Sequence, residues 1–156
     1  MTKQDTNKKL KIFKALSLTS LICWMCLIFL LSAQESDQSA QLSSGWLAAI
    51  NEFLGVELSH LFVRKAAHFT EYFVLGFLFS NAFYFTRQKL LFVWPLSLSA
   101  LYALSDEIHQ HFVPGRACSF KDVLIDCLGA MIGIALYFIL HKIYVALHHK
   151  FFKKGV

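Results

Sequence analysis

Residues 64–77 read Arg64-Lys65-Ala66-Ala67-His68-Phe69-Thr70-Glu71-Tyr72-Phe73-Val74-Leu75-Gly76-Phe77. Four charged or titratable side chains crowd the first eight positions, and the segment then continues without charge to Phe85. Arg64, His68, Glu71 and Tyr72 fall at i, i+3 and i+4 spacing, so a helix gathers them on one face. Ionisable groups within a membrane helix are costly and face protein or water rather than lipid, so each marks a candidate site.

The rest of the chain decides that the surroundings are lipid. It has 156 residues, a length that fits one domain spanning 1–156. Its mean hydropathy is +0.52, with 56% apolar and 16% charged residues. A soluble core of this size cannot hide that much hydrocarbon, whereas a bilayer accommodates it. Segments 12–33, 61–85, 90–110 and 122–147 are each near or above the roughly 20 helical residues needed to cross it. Backbone groups in lipid need internal partners, so all four are expected as helices. The expected fold is all-α: a polytopic bundle of four transmembrane helices with both termini on one side.

Charge orients the bundle. The N-terminal tail to Lys14, the Arg87/Lys89 turn and the tail from Lys142 hold eleven of the fifteen Lys and Arg but only one acid, Asp5. Positive flanks stay inside, so both termini are expected in the cytoplasm, with 34–60 and 111–121 outside. Segments 1–11 and 148–156 read as basic cytoplasmic tails. The basic balance thus reports topology and excludes nucleic acid as the expected partner. The first apolar run exceeds a usual signal-peptide core, and Leu31 would occupy the −3 position, so an uncleaved anchor is expected. Cys23, Cys26, Cys118 and Cys127 lack the setting that generates thiolates and are expected to pack.

The first outer loop carries Trp46, Leu47, Ile50, Phe53 and Leu54 at helical spacing after Ser43 or Ser44, with Gly55 as a stop. This is the pattern of a short amphipathic helix on the outer leaflet. Residues 86–89 form a tight inner turn. Pro114-Gly115 marks another turn, and Ser119 with Asp122 resembles a capping box that fixes the start of the fourth helix.

Depth then unites the polar residues. At about 1.5 Å per residue, Glu71 lies roughly 7–8 Å along its helix from Ala66, and Asp106 about 24 Å from Leu90. Asp126 lies about one and a half turns below Ser119. All three belong to one shallow layer near the outer surface. Asp106, His109 and Gln110 share one face, as do Asp122 and Asp126. These faces are expected to meet in a polar pocket open to the outside.

Arg64, Lys65 and Arg116 supply outer cations suited to phosphate or carboxylate. His68 or His109 beside Glu71 or Asp106 would form a general acid–base pair, with Arg116 steadying developing charge, if the protein were a hydrolase or transferase of a lipid-linked phosphate or ester. A divalent metal on these groups is disfavoured because no compact ligand motif is present, and no cofactor is expected. Alternatively, Arg64–Glu71 and Arg116–Asp126 ion pairs would merely hold helices together. Gly129 and Gly133 form a GxxxG pair expected to allow close helix approach within the monomer.

The runs 64–73, Ser105-Asp106-Glu107-Ile108-His109-Gln110-His111-Phe112-Val113-Pro114-Gly115-Arg116, and Asp122 to Asp126 with Gly129 together resemble the VanZ-like family of small bacterial membrane proteins. The resemblance covers 61–133. The family is named for an accessory protein giving low-level resistance to teicoplanin, a glycopeptide that captures cell-wall precursor at the outer membrane surface. It implies a site at Arg64, Lys65, His68, Glu71, Tyr72, Asp106, Glu107, His109, Gln110, Arg116, Asp122 and Asp126. The expected ligand is a membrane lipid, a lipid-linked cell-wall precursor or a glycopeptide-related molecule.

Overall fold

The structure, a computed structural model, describes residues 3–34, 44, 45, 49, 51–53, 55, 59–116 and 118–152. Among them every regular element is helical: α1 (Lys3–Ser32), α2 (His60–Arg87), α3 (Val93–Gln110) and α4 (Phe120–Phe152). Residues 44, 45, 49 and 51–53 are also helical, and Phe53 is exposed. Ser43, Trp46, Leu47, Ile50 and Leu54, which carry most of the expected amphipathic pattern, lie outside the described residues.

Two helices, over Gln4–Ser32 and Phe120–Lys150, are long and apolar enough to cross a membrane. Polar side chains such as His68, Glu71, Asp106 and Glu107 keep α2 and α3 below that standard. Leu16, Ile22, Phe29 and Leu30 on α1 and Leu124, Leu128 and Ile139 on α4 are exposed. Apolar surface on this scale suits lipid and would drive association in water.

Local chemistry sets the helix ends. Ser59 caps α2 by accepting from the Phe62 N–H at 3.2 Å. Gln88 closes α2 in the left-handed conformation, φ 53°, its N–H returning to the Tyr84 carbonyl at 2.7 Å. Helix α3 begins at Val93, three residues later than its apolar run, with Pro95 in a first turn that needs no N–H from it. The capping box at Ser119 is replaced by a longer-range version. The Ser119 N–H donates to the Glu107 carboxylate at 2.7 Å, so a side chain from α3 takes the role expected of Asp122.

Helix α2 is central and touches the other three, most extensively α4. Glycine makes that seam. A Cβ on Gly129 or Gly133 would overlap the main-chain carbonyls of Phe69 or Phe73, and one on Gly76 would overlap that of Ala130. The GxxxG pair therefore serves packing within the monomer, with Gly76 as its reciprocal on α2. Tyr72, Leu75, Ala130 and Ile134 are buried here or nearby.

Helix α1 is held more sparingly. Trp24 donates to the Glu71 carbonyl at 2.9 Å, and the Tyr102 hydroxyl donates to the Met25 carbonyl at 2.6 Å. Cys23, Cys26 and Cys118 are exposed, contrary to the expectation of packing: α1 turns the face through Leu21 and Ile28 to the bundle and leaves Cys23 and Cys26 outside, and Cys118 lies in the loop before α4. Only Cys127 packs against the core.

Candidate functional site

The second, third and fourth helices bring their polar ends to one end of the bundle, beside the last turn of α1. Lys65 Nζ lies 3.1 Å and Arg64 3.8 Å from the Asp122 carboxylate, tying the first turns of α2 and α4. Both cations remain partly exposed, with side-chain exposures of 32% for Arg64 and 44% for Lys65, while Asp122 is buried. The sequence offered Glu71 as the Arg64 partner. The carboxylate within ion-pair distance is Asp122.

One turn below, His68 faces Asp126. Nδ1 stands 3.7 Å from Oδ1, beyond hydrogen-bond reach, and both side chains are buried. The carboxylate within ion-pair distance of His68 is thus that of Asp126, not of Glu71 or Asp106. His109 stacks on Phe29 with ring centroids 4.7 Å apart. Gln110 donates to Asp106 at 3.3 Å across one helical turn.

Arg116 is positioned by the turn that the Pro114-Gly115 pair predicts. Gly115 takes φ +74°, and the Arg116 N–H closes onto the Val113 carbonyl at 3.1 Å. The side chain reaches back to the end of α1, where Nε donates to the Gln34 carbonyl at 2.9 Å and a terminal nitrogen lies 3.5 Å from the Leu31 carbonyl. A cation at a helix C-terminus satisfies orphan carbonyls and complements the dipole. Burial and the neighbouring Arg64 guanidinium lower the Arg116 pKa from its ordinary value. No ion pair joins Arg116 to Asp126 among the described residues.

The remaining groups share one electrostatic neighbourhood. Asp126 feels the charges of Asp106, Glu107, Glu71 and Asp122, and Tyr72 feels those of Asp106, Asp126 and Glu71. Ser32, buried in the last turn of α1, joins beside Asp106. Ser32 is not among the residues expected at the site. Its signal was present: Ser32 continues the Leu21, Met25, Ile28 face at i+4, i+7 and i+11.

What distinguishes the cluster is its incomplete hydrogen bonding. Ser32 Oγ, His68 Nδ1, Tyr72 OH, Glu107 Oε1, His109 Nε2, Gln110 Oε1 and both Asp126 carboxylate oxygens are buried without a hydrogen-bond partner among the described residues. Buried polar atoms are ordinarily paired, and leaving one unpaired costs about 1–3 kcal/mol. Four of these eight atoms, the two Asp126 oxygens, Glu107 Oε1 and Gln110 Oε1, are carbonyl or carboxyl oxygens, and donors such as hydroxyl or amino groups or ordered water would satisfy them. Among the described residues no group of three His, Cys, Asp or Glu side chains is placed to hold a metal ion.

A family model described as VanZ/LLP1 matches residues 17–141. No curated protein and no solved structure matches.

Proposed function

Because the chain belongs to the VanZ/LLP1 family, we propose that it is a multi-pass protein of the bacterial plasma membrane whose outer polar chamber binds a phosphate-bearing lipid or cell-wall-related ligand. In this reading all four helices span the bilayer, both termini are cytoplasmic, and the cluster lies at the outer leaflet. The basic tails at the opposite end support that orientation.

The observation that carries the proposal is the set of unpartnered buried atoms on His68, Tyr72, Glu107, Gln110 and Asp126. Helix packing alone would favour apolar replacements there, since well-packed hydrophobic groups are at least as stable as unsatisfied polar ones. The roles divide by location. Arg64 and Lys65, partly exposed at the rim, hold the anion; Arg116 is committed to the α1 carbonyls and steadies the frame. The inner acceptors around Asp126 take hydroxyl or amine donors of the same ligand. A glycan or peptide attached to a lipid phosphate offers both chemistries.

Binding such a ligand at the outer surface is how the chain would alter glycopeptide susceptibility. The test is expression in a teicoplanin-susceptible bacterium, with membrane abundance monitored. The native chain should lower susceptibility, and Arg64→Ala with Lys65→Ala, or Asp126→Asn alone, should abolish the effect at equal abundance. Protection that survives both changes would refute the chamber as its source. A native chain that gives none would refute the resistance role.

A further inference from the structure

The opposite end of the bundle holds a second amphipathic feature, formed where α1, α2 and α3 diverge. An apolar cavity of about 280 Å³ is lined by Leu18, Leu21, Phe79, Ala82, Phe83 and Leu98, with Thr86 and Arg87 also in its wall. Beside it, a cavity of about 600 Å³ shares Phe83 and Arg87 and adds Lys89, Leu91 and Trp94. Arg87 and Lys89 are exposed, and among the described residues no carboxylate lies within ion-pair distance of either.

From this we infer that the paired cavities are a site for one anionic glycerophospholipid of the inner leaflet. Its phosphate would sit on Arg87 and Lys89, and one acyl chain would fill the apolar slot. The inference rests on the membrane orientation proposed above but not on the outer chamber.

Four observations select this occupant. The slot is lined almost wholly by hydrocarbon, so it accepts a chain and rejects a polar solute. Its wall includes an arginine whose stem can lie along Phe83 while the guanidinium reaches headgroup level. The first turn of α3, which carries Trp94 of the second cavity, has no side-chain cap, and an uncapped helix N-terminus favours an anion. Trp94, 61% exposed, is the residue type that settles at the membrane interface. A neutral lipid would satisfy the slot and leave both cations unmatched.

The experiment uses the full-length protein in nonionic detergent, with lipid retention read by native mass spectrometry. Phosphatidylglycerol should be retained in preference to phosphatidylcholine, and soluble glycerol phosphate should not displace it. Arg87→Gln with Lys89→Gln should weaken phosphatidylglycerol retention by roughly ten- to thirty-fold, the worth of two lipid-facing cations. Leu98→Trp, at a half-exposed slot position, should weaken both lipids by occupying the chain's space. Lys142→Gln with Lys150→Gln, on the exposed end of α4, should change nothing. Equal loss from that last pair would reduce the effect to a generally basic surface and overturn the site. So would equal retention of the two lipids, or competition by glycerol phosphate. Loss on Arg64→Gln with Lys65→Gln, with none on the Arg87 and Lys89 pair, would move the lipid to the outer chamber and overturn the inner site alone.

Discussion

The α2–α4 seam and the polar cluster beside it are built on opposite rules. Along the seam, Gly76, Gly129 and Gly133 leave no room for one added carbon. A helical turn or two away, Asp126, Glu107, Gln110 and Tyr72 are equally buried yet retain atoms without partners. One region is filled to its limit, and the other tolerates unmet hydrogen bonds at a cost in stability. The contrast separates what holds the bundle together from what the bundle holds in place. Functional sites are commonly the places where a protein forgoes stability.

The contrast is most easily broken at the seam. Gly133→Leu should cost about 3 kcal/mol or more, because the obstacle is main chain that cannot rotate away. Thermal unfolding and size-exclusion behaviour in detergent would show it, and a variant with native behaviour would mean the seam is looser than described. The next effect has the opposite sign. Asp126→Leu removes both unpartnered carboxylate oxygens and should raise stability by about 1–3 kcal/mol while removing function. A loss of stability of that size would make Asp126 part of the framework.

Arg116→Gln should cost about 1.5 kcal/mol, the scale of a charge-assisted hydrogen bond. Hydrogen exchange should quicken at the end of α1 and stay unchanged along the seam. Smallest is Lys65→Gln, expected below about 1 kcal/mol because Lys65 is partly exposed and Asp122 keeps Arg64. A larger loss would place Lys65 in the framework instead of the rim.

The four helices were legible because apolar runs of this length have few alternatives, and Ser59, Gln88 and the Pro114-Gly115 turn follow local rules. Residues sharing a face, such as His68 with Tyr72 and Asp122 with Asp126, were legible from helical spacing. Partners across helices were not. Spacing says which way a side chain points but not how far its helix is rotated or shifted against a neighbour, so His68 met Asp126 and Arg64 met Asp122 in place of Glu71. Arg116, Trp24 and Tyr102 bind main-chain carbonyls, which every residue carries, so no letter in the sequence identifies the acceptor. His141 shows the same limit: it lies against Tyr84 and Tyr137, with ring centroids 4.4 Å and 6.2 Å away, and no spacing in the sequence announces the contact with Tyr84.

The sparse fastening of α1 has a consequence for biogenesis. Its three clasps join residues separated in the chain by 47, 77 and 82 positions. A ribosome adding about 5–20 residues per second needs roughly 4–16 s to go from Gln34 to Arg116. Throughout that interval the first helix waits for its partners, engaged first through Trp24, then through Tyr102, and last through Arg116. A nascent chain stalled before Tyr102 would have only the first of these, leaving its leading helix exposed to quality-control proteases.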